Sequence, residues 1–190
     1  MSERQKFPIV DRVLERKENQ QYSIREATAE DADRIADIQY ESWLETYPDP
    51  EIGITVEDVK RKQGDIAVKR RKWKKSLEQK EENRKTFVIR NENQIVGFCV
   101  ASKGDHQNEI HALYLDPKEK GKGAGAEVFA YALVWLGDKE PAKLSVAEHN
   151  KKAIQFYERF GFHQEGAGHI YEMGEGKQMP LIDMIRQNEK

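Results

Sequence analysis

Eight residues, Lys118-Glu-Lys-Gly-Lys-Gly-Ala-Gly125, place three lysines and three glycines between a strand-like run and a helix-like one. The first N–H groups of a helix have no partner inside it and carry partial positive charge, so a glycine turn at that point forms an anion site. Gly121, Gly123 and Gly125 let the backbone approach a ligand, and Lys118, Lys120 and Lys122 add positive charge at the rim. Such a turn suits a phosphate or a pyrophosphate. The spacing fits neither common nucleotide pattern: Ala126 stands where a P-loop needs its lysine and hydroxyl pair, and Gly125 comes one place early for the dinucleotide fingerprint. A tight connection between strand and helix is the other account of the same glycines.

A second stretch lies one strand further on. Glu148-His-Asn-Lys-Lys-Ala-Ile-Gln-Phe-Tyr-Glu-Arg-Phe-Gly-Phe162 puts Asn150 at a helix start and Tyr157 seven residues later, about 10 Å along the axis and nearly on one face. An amide and a phenol can then face one groove. Asn150 equally suits a plain helix cap, and a tyrosine on an apolar helix face is also ordinary core.

With both stretches in view the chain resembles the GNAT superfamily of N-acetyltransferases, whose cofactor motif Q/R-x-x-G-x-G/A is followed one strand later by N-x-x-A-x-x-x-Y-x-x-x-G-F. The matching text is Lys118-Glu-Lys-Gly121-Lys-Gly123 and Asn150-Lys-Lys-Ala153-Ile-Gln-Phe-Tyr157-Glu-Arg-Phe-Gly161-Phe162, within a likeness of element order over residues 21–185. The resemblance implies an α/β (α+β) fold: a mixed, largely antiparallel central sheet flanked by helices, with two splayed parallel strands, Glu109 to Leu115 and Lys143 to Ala147, around acetyl-CoA. It implies that backbone groups of Leu113 and Leu115 hold the pantetheine arm. Amides from Lys118 through Lys120, Gly121, Lys122, Gly123 and Ala124 to Gly125 would hold the pyrophosphate, and Asn150 would add a cofactor contact. Lys118 departs from the usual Gln or Arg but keeps a cation. By the same resemblance Tyr157 protonates the departing sulfur, Glu109 is a carboxylate base acting directly or through water, and an N–H on the same strand, that of Leu115, receives the oxyanion. An exposed Glu109 at a strand end is also an ordinary surface residue. The expected function is acetyl transfer from acetyl-CoA to a primary amine of a small molecule or peptide.

These residues need elements to position them. Tyr22-Ser-Ile-Arg-Glu-Ala27 has the alternation of a strand, and Thr28 with Asp31 resembles a capping pair before a helix whose inner side carries Ala32, Ile35, Ile38, Ser42 and Trp43. Pro48 and Pro50 end that helix. Residues 55–85 are rich in Lys and Arg with sparse apolar positions, predicting one or two mostly exposed helices. Thr86 to Arg90 and Ile95 to Ala101 predict a hairpin, and Glu109 to Leu115 a third strand. Ala126, Phe129, Ala130, Leu133, Val134 and Leu136 form one helical face that stops near Gly137. Lys143 to Ala147 predicts a strand, and Gly161 a helix stop with Phe162 packing back on the last turn. Phe162 to Glu165 and Met179 to Ile185 predict two last strands around a glycine-rich loop.

Composition narrows the partners. A chain of 190 residues suits one domain, here 21–190, after an arm or short helix over 1–20. With 32 basic and 34 acidic residues, no global field draws it to nucleic acid or to an anionic membrane. One cysteine, Cys99, excludes an intrachain disulfide and suits a reducing cytoplasm, and no run reaches the ~20 apolar residues of a membrane span. His111 and His149 have no cysteine, serine or acid partner at a spacing the sequence defends, and no H-E-x-x-H occurs, so neither receives a role and no metal is expected. Asp37, Glu41, Glu45, Asp49 and Glu51 would suit a cationic amine such as a polyamine, or form a solvated face. The basic block 60–85 raises a nucleic-acid or ribosome-binding module, against which Glu78, Glu81 and Glu82 interleave at helical spacing. A non-catalytic regulator that binds coenzyme A is the remaining alternative, and a homodimer is left open.

Overall fold

The computed structural model describes Val10 and residues 21–187. Strands β1 (Tyr22–Glu26), β2 (Arg84–Asn91), β3 (Gln94–Ser102), β4 (Asn108–Leu115), β5 (Ala142–Ala147), β6 (His163–Gln164), β7 (His169–Gly174) and β8 (Lys177–Arg186) form one sheet. The order is β1-β2-β3-β4-β5-β8-β6, with β7 also on β8. All pairs are antiparallel except β4 with β5, the mixed and largely antiparallel sheet that was expected. Among the described residues no helix is long and apolar enough to cross a membrane. The expected arm lies outside the described residues apart from Val10, which is helical and buried in the main core.

Local signals set the helices. Helix α1 (Ala32–Thr46) follows a 3₁₀ turn at Ala29–Asp31, closed by the reciprocal Thr28 and Asp31 capping box, and Asp31 is held by Arg25 at 2.6 Å. The Lys- and Arg-rich segment forms two helices, α2 (Val56–Gln63) and α3 (Ile66–Glu78). Gly64 parts them at φ 68, a value that favours glycine, and the Asp65 carboxylate caps α3 by accepting from Ala67 N. Because α3 ends at Glu78, Glu81 and Glu82 fall past the helix; the expected interleaving of acids at helical spacing is corrected on that point. Helices α4 (Ala124–Leu136) and α5 (Lys151–Glu158) complete the set.

Helices α4 and α5 cover one face of the sheet through Val128, Phe129, Leu133 and Phe160 against Phe87, Cys99, Ile110 and Leu144. The other face carries α1 and α3, with Ile35, Ile38, Trp73 and Leu77 on Val88, Phe98 and Val100. A third cluster ties α2 to the β7–β8 hairpin through Ile54, Val59, Met173 and Met179. Strand β7 was expected as loop. Its sequence, His-Ile-Tyr-Glu-Met-Gly, sits among glycines, and pairing with β8 over Leu181 to Lys177 supplies the order that local propensity does not.

The decisive feature lies at the one parallel pair. Strands β4 and β5 meet only at Asn108↔Ala142, Glu109↔Lys143 and Ile110↔Leu144. Just beyond, β4 carries a bulge: Val100 pairs with Ala112 and Ala101 with Ile110, leaving His111 as the extra residue. A bulge bends and twists its strand, and from here β4 follows β3 while β5 follows β8. The sheet therefore opens into a V.

Phe129 packs on Phe156, Tyr157, Phe160 and Phe162 with ring centroids 4.9–5.8 Å away, so it couples α4 to α5. Phe129→Ala is expected to lower the unfolding free energy in urea by about 3–5 kcal/mol. Val134→Ala on the same helix, where the residue is 57% exposed, should change it by less than about 0.5 kcal/mol.

Candidate active site

The open edge of β4 follows from its register. Asp116 N donates to Val96 O at 2.8 Å, so by the alternation of an antiparallel ladder the main chain of Tyr114 serves β3 while that of Leu113 and Leu115 faces the V. The Leu115 carbonyl accepts from Ser42 Oγ at 2.6 Å, which leaves its N–H as the group for a ligand. Gly97 makes the close packing here feasible, since a Cβ would stand 2.4 Å from Leu115 Cδ2 and 2.9 Å from Tyr114 O.

At the end of β4 a 3₁₀ turn, Pro117–Glu119, intervenes before the glycines, a feature absent from the sequence-based expectation. Asp116 starts the turn: its Oδ1 accepts from Lys118 N at 2.9 Å, and its other oxygen is paired with Arg34. Glu119 N, Lys120 N and Lys122 N also donate within the turn, to Asp116, Pro117 and Glu119 carbonyls. Among the described residues the N–H groups of Gly121, Gly123, Ala124 and Gly125 make no backbone hydrogen bond there. Of the amides from Lys118 to Gly125, those four have no backbone partner among the described residues. Gly121 and Gly123 sit at φ 79 and 103, and a Cβ at either position would have no atom within 4 Å, whereas a Cβ on Gly125 would meet Leu115 Cδ1 at 3.0 Å. The first two glycines thus shape an open cradle, and the third seats α4 on β4.

The three lysines differ in their partners. Lys120 Nζ is 2.6 Å from Glu45 and Lys122 Nζ 3.2 Å from Glu119, while Lys118 forms no ion pair among the described residues. Glu119 also accepts from Tyr22 OH at 3.0 Å, and burial together with this carboxylate pushes the Tyr22 phenol up to about 12.

Tyr157 reaches the core beside the V from α5, packed on Phe129 and Phe162. Burial raises its phenol well above the ordinary value, with smaller contributions from Cys99 and Tyr114. Asn150 caps α5, its Oδ1 accepting from Ala153 N at 3.1 Å. Gly161 at φ 84 ends the helix and Phe162 N returns to Tyr157 O at 3.2 Å, as the sequence predicted. On the α1 side of the V, Trp43 Nε1 donates to Tyr114 OH at 2.9 Å, and Tyr47 and Tyr171 stack edge-on against Trp43. His149 lies against Tyr47, with Nδ1 buried and without a hydrogen-bond partner among the described residues.

Glu109 stands at the closed foot of the V, six residues from Leu115, which is about 20 Å along the strand. Its carboxylate is 3.3 Å from His111 Nδ1, and His111 Nε2 is 2.7 Å from Ser102 Oγ. The sequence assigned His111 no partner. Both were hidden by topology: Glu109 lies two positions away in a strand, which local spacing places on the same side but not in contact, and Ser102 arrives from β3.

The acidic set on α1 and the following loop is largely engaged. Asp37 is bound by Arg70 at 2.8 Å, Glu45 by Lys120, and Asp49 Oδ1 accepts from Glu51 N. In the basic block Trp73 faces inward, packed on Phe98 with its N–H on Gln39, so its ring serves the core beneath α3.

The model of the Acetyltransferase (GNAT) family matches residues 32–162. Peptidyl-lysine N-acetyltransferase YjaB of Salmonella typhimurium is 29% identical over 98 residues, covering 52% of this chain and 61% of that protein. Its Escherichia coli counterpart is 30% identical over 97 residues, covering 51% and 60%. The chain thus spans about three fifths of the length of the curated relatives it matches. Among solved structures, PaiA N-acetyltransferase from Thermoplasma acidophilum in complex with coenzyme A has a TM-score of 0.64 at 20% identity, over 87% of this chain and 98% of that one; this likeness is one of fold.

Asp116 ties the turn to α1. Burial works to raise its carboxyl, but the Lys118 amide and Arg34 together hold it below the ordinary carboxylate value. Its stabilising contribution is therefore present above about pH 3.9 and is lost as pH falls through the lower folded value. Asp116→Asn, which retains a capping oxygen, is expected to unfold at lower urea than the parent at pH 7, and the gap should shrink by about pH 3.

Proposed function

We propose that this chain, which belongs to the acetyltransferase (GNAT) family, carries acetyl from acetyl-CoA to a primary amine by direct attack, with no acetyl-enzyme. One observation supports this above the others: the opened β4 edge at Leu113 and Leu115 runs straight into a turn with spare amides at Gly121, Gly123, Ala124 and Gly125. That is a continuous track for an extended arm ending in a pyrophosphate. Lys118 adds charge at the pyrophosphate, Lys120 and Lys122 line the rim, and Asn150 meets the arm from the α5 side. The relatives' name supports a lysine side chain of a peptide or protein as acceptor, and a small-molecule amine is the second class.

In the reaction the amine must be neutral, the thioester oxygen must be stabilised as it gains charge, and the thiolate must receive a proton. The Leu115 N–H, with its carbonyl anchored on Ser42, is held rigidly for the oxyanion role. Tyr157 keeps its proton at neutral pH because burial disfavours the phenolate, and delivers it as the C–S bond breaks. Glu109, about 20 Å along β4 from Leu115, takes part on the base side through water rather than by direct contact.

Two measurements check these roles. Gly123→Glu puts a carboxylate into the cradle at a φ of 103 and is expected to abolish saturable acetyl-CoA binding in isothermal titration; undiminished affinity would remove the pyrophosphate from this turn. Tyr157→Phe is expected to lower kcat by about 10²–10⁴-fold with the acetyl-CoA Kd unchanged, whereas an unchanged kcat would make Tyr157 core alone.

A further inference from the structure

We propose that His149, in the turn after β5, orients the attacking amine through its bare Nδ1 and thereby selects primary over secondary amines. The inference rests on the acetyltransferase reading and adds the residue that sets which amine is accepted.

Height along the V comes first. Each parallel pair joins a β4 residue to the one 34 positions later in β5: Asn108 to Ala142, Glu109 to Lys143 and Ile110 to Leu144. The same step from Leu115 leads to His149. The strands have parted by then, so the step gives a level rather than a contact: His149 stands across the opening from the N–H assigned to the oxyanion.

The ring lies on the α1 side. Its Nε2 is 3.3 Å from the Thr46 carbonyl, and it meets Tyr47 edge-on; Thr46 is the last residue of α1 and Tyr47 its cap. Tyr157 belongs to the cluster under α4 and α5, on the other face of the sheet. A thioester held at Leu115 then has the proton donor for its sulfur on one side and His149 on the side left for the amine. The turn is fixed as well, with Glu148 N on Pro180 O, Asn150 N on Ala147 O and Lys151 N on His149 O, each at 2.9 Å.

The contacts assign the tautomer. A carbonyl only accepts, so Nε2 carries the proton and Nδ1 is a bare acceptor. Nδ1 is buried and has no hydrogen-bond partner among the described residues, a costly state for a polar atom. With Nε2 turned to α1, Nδ1 sits on the main-chain side of the ring, back toward the end of β5. Buried there, it is served by a donor brought into the V.

A neutral primary amine has two N–H bonds and one lone pair. With one N–H given to Nδ1 and the other to water, on the side where Glu109 takes part, the lone pair is left for the carbonyl carbon. The nitrogen bonds to that carbon and the C–S bond breaks. The thiolate takes the Tyr157 proton, the proton held by water leaves to solvent, and Tyr157 recovers one from solvent. The proton on Nδ1 stays behind as the N–H of the amide product, so His149 is neutral throughout. A secondary amine has a single N–H and must lose it, which strands the buried acceptor against an alkyl group. Sites that pair a substrate N–H reject analogues without it for this reason.

Two substitutions separate the ring's two contacts. Asn sets an oxygen near the place of Nδ1 and lacks the donor to Thr46, whereas Gln sets an amide N–H near Nε2 and lacks the inner acceptor. The full chain is assayed with acetyl-CoA and matched peptides bearing lysine or Nε-methyl-lysine, with acetyl-CoA Kd and melting temperature measured on every variant. The parent is expected to prefer lysine. His149→Gln should lose about 10–100-fold in kcat/KM for the lysine peptide and narrow that preference, with acetyl-CoA Kd unchanged. His149→Asn should recover most of the loss and the preference, at a lower melting temperature because the Thr46 contact is gone. The reverse order, Gln intact and Asn impaired, assigns the ring to the Thr46 contact and overturns the proposal. Equal losses in both variants, or a loss carried by acetyl-CoA Kd, overturn it too. So does a parent that turns over both peptides equally, a measurement that depends on no variant folding. Absence of acetyl-CoA binding in the parent, or binding without turnover of either peptide, would instead strike the acetyltransferase reading beneath it.

Discussion

A β-strand that leaves its neighbour inside a sheet exposes backbone groups that must be satisfied elsewhere, and the site depends on that constraint. Strands β4 and β5 share three residue pairs and then part at the His111 bulge. The divergence is stable because each strand keeps its other neighbour: β4 remains on β3 up to Leu115, and β5 pairs with β8 from Ala142 to Ala147. What is left between them is a wedge edged by main-chain groups with a tyrosine on one side and aromatic rings on the other. Closing it would satisfy the β4 edge and remove the site.

The elements around the wedge fix its two ends. At the open end, Asp116 turns the chain through its bonds to Lys118 N and Arg34, and Gly123 starts α4 from a left-handed conformation. On the far side Phe129 locks α5 against α4, so that Tyr157 is placed by aromatic packing. At the closed end, His111 is held by Ser102 Oγ from β3 at 2.7 Å, with the Glu109 carboxylate 3.3 Å from its other nitrogen. Positioning thus comes from packing at one end and from polar contacts at the other.

Much of this was legible in the sequence where the controlling interactions are local. The capping pair Thr28 and Asp31, the glycine turn, the Asn150 cap and the Gly161 stop are each decided within a few residues, and each stands where its pattern placed it. What escaped was decided across the sheet. The bulge at His111 is a matter of register with β3, the Ser102 contact comes from another strand, and β7 owes its order to β8. The same holds for charge. The acids of α1 suggested a cationic acceptor, but Asp37 and Glu45 have their cations in α3 and in the glycine turn, distant in sequence. Among the described residues, the division of the Lys118 to Gly125 amides into those bonded within the turn and those without a backbone partner is set by a 3₁₀ turn that Asp116-Pro117 could have signalled.

The central claim is that one track, from the β4 edge to the start of α4, receives acetyl-CoA. Backbone amide NMR of the labelled protein during an acetyl-CoA titration tests it most directly. Saturable shifts are expected at Leu113, Leu115, Gly121, Gly123, Ala124 and Gly125, with Arg71 and Lys72 on the outer side of α3 unmoved. Shifts confined to α3, or a turn that stays unchanged at saturation, would contradict it.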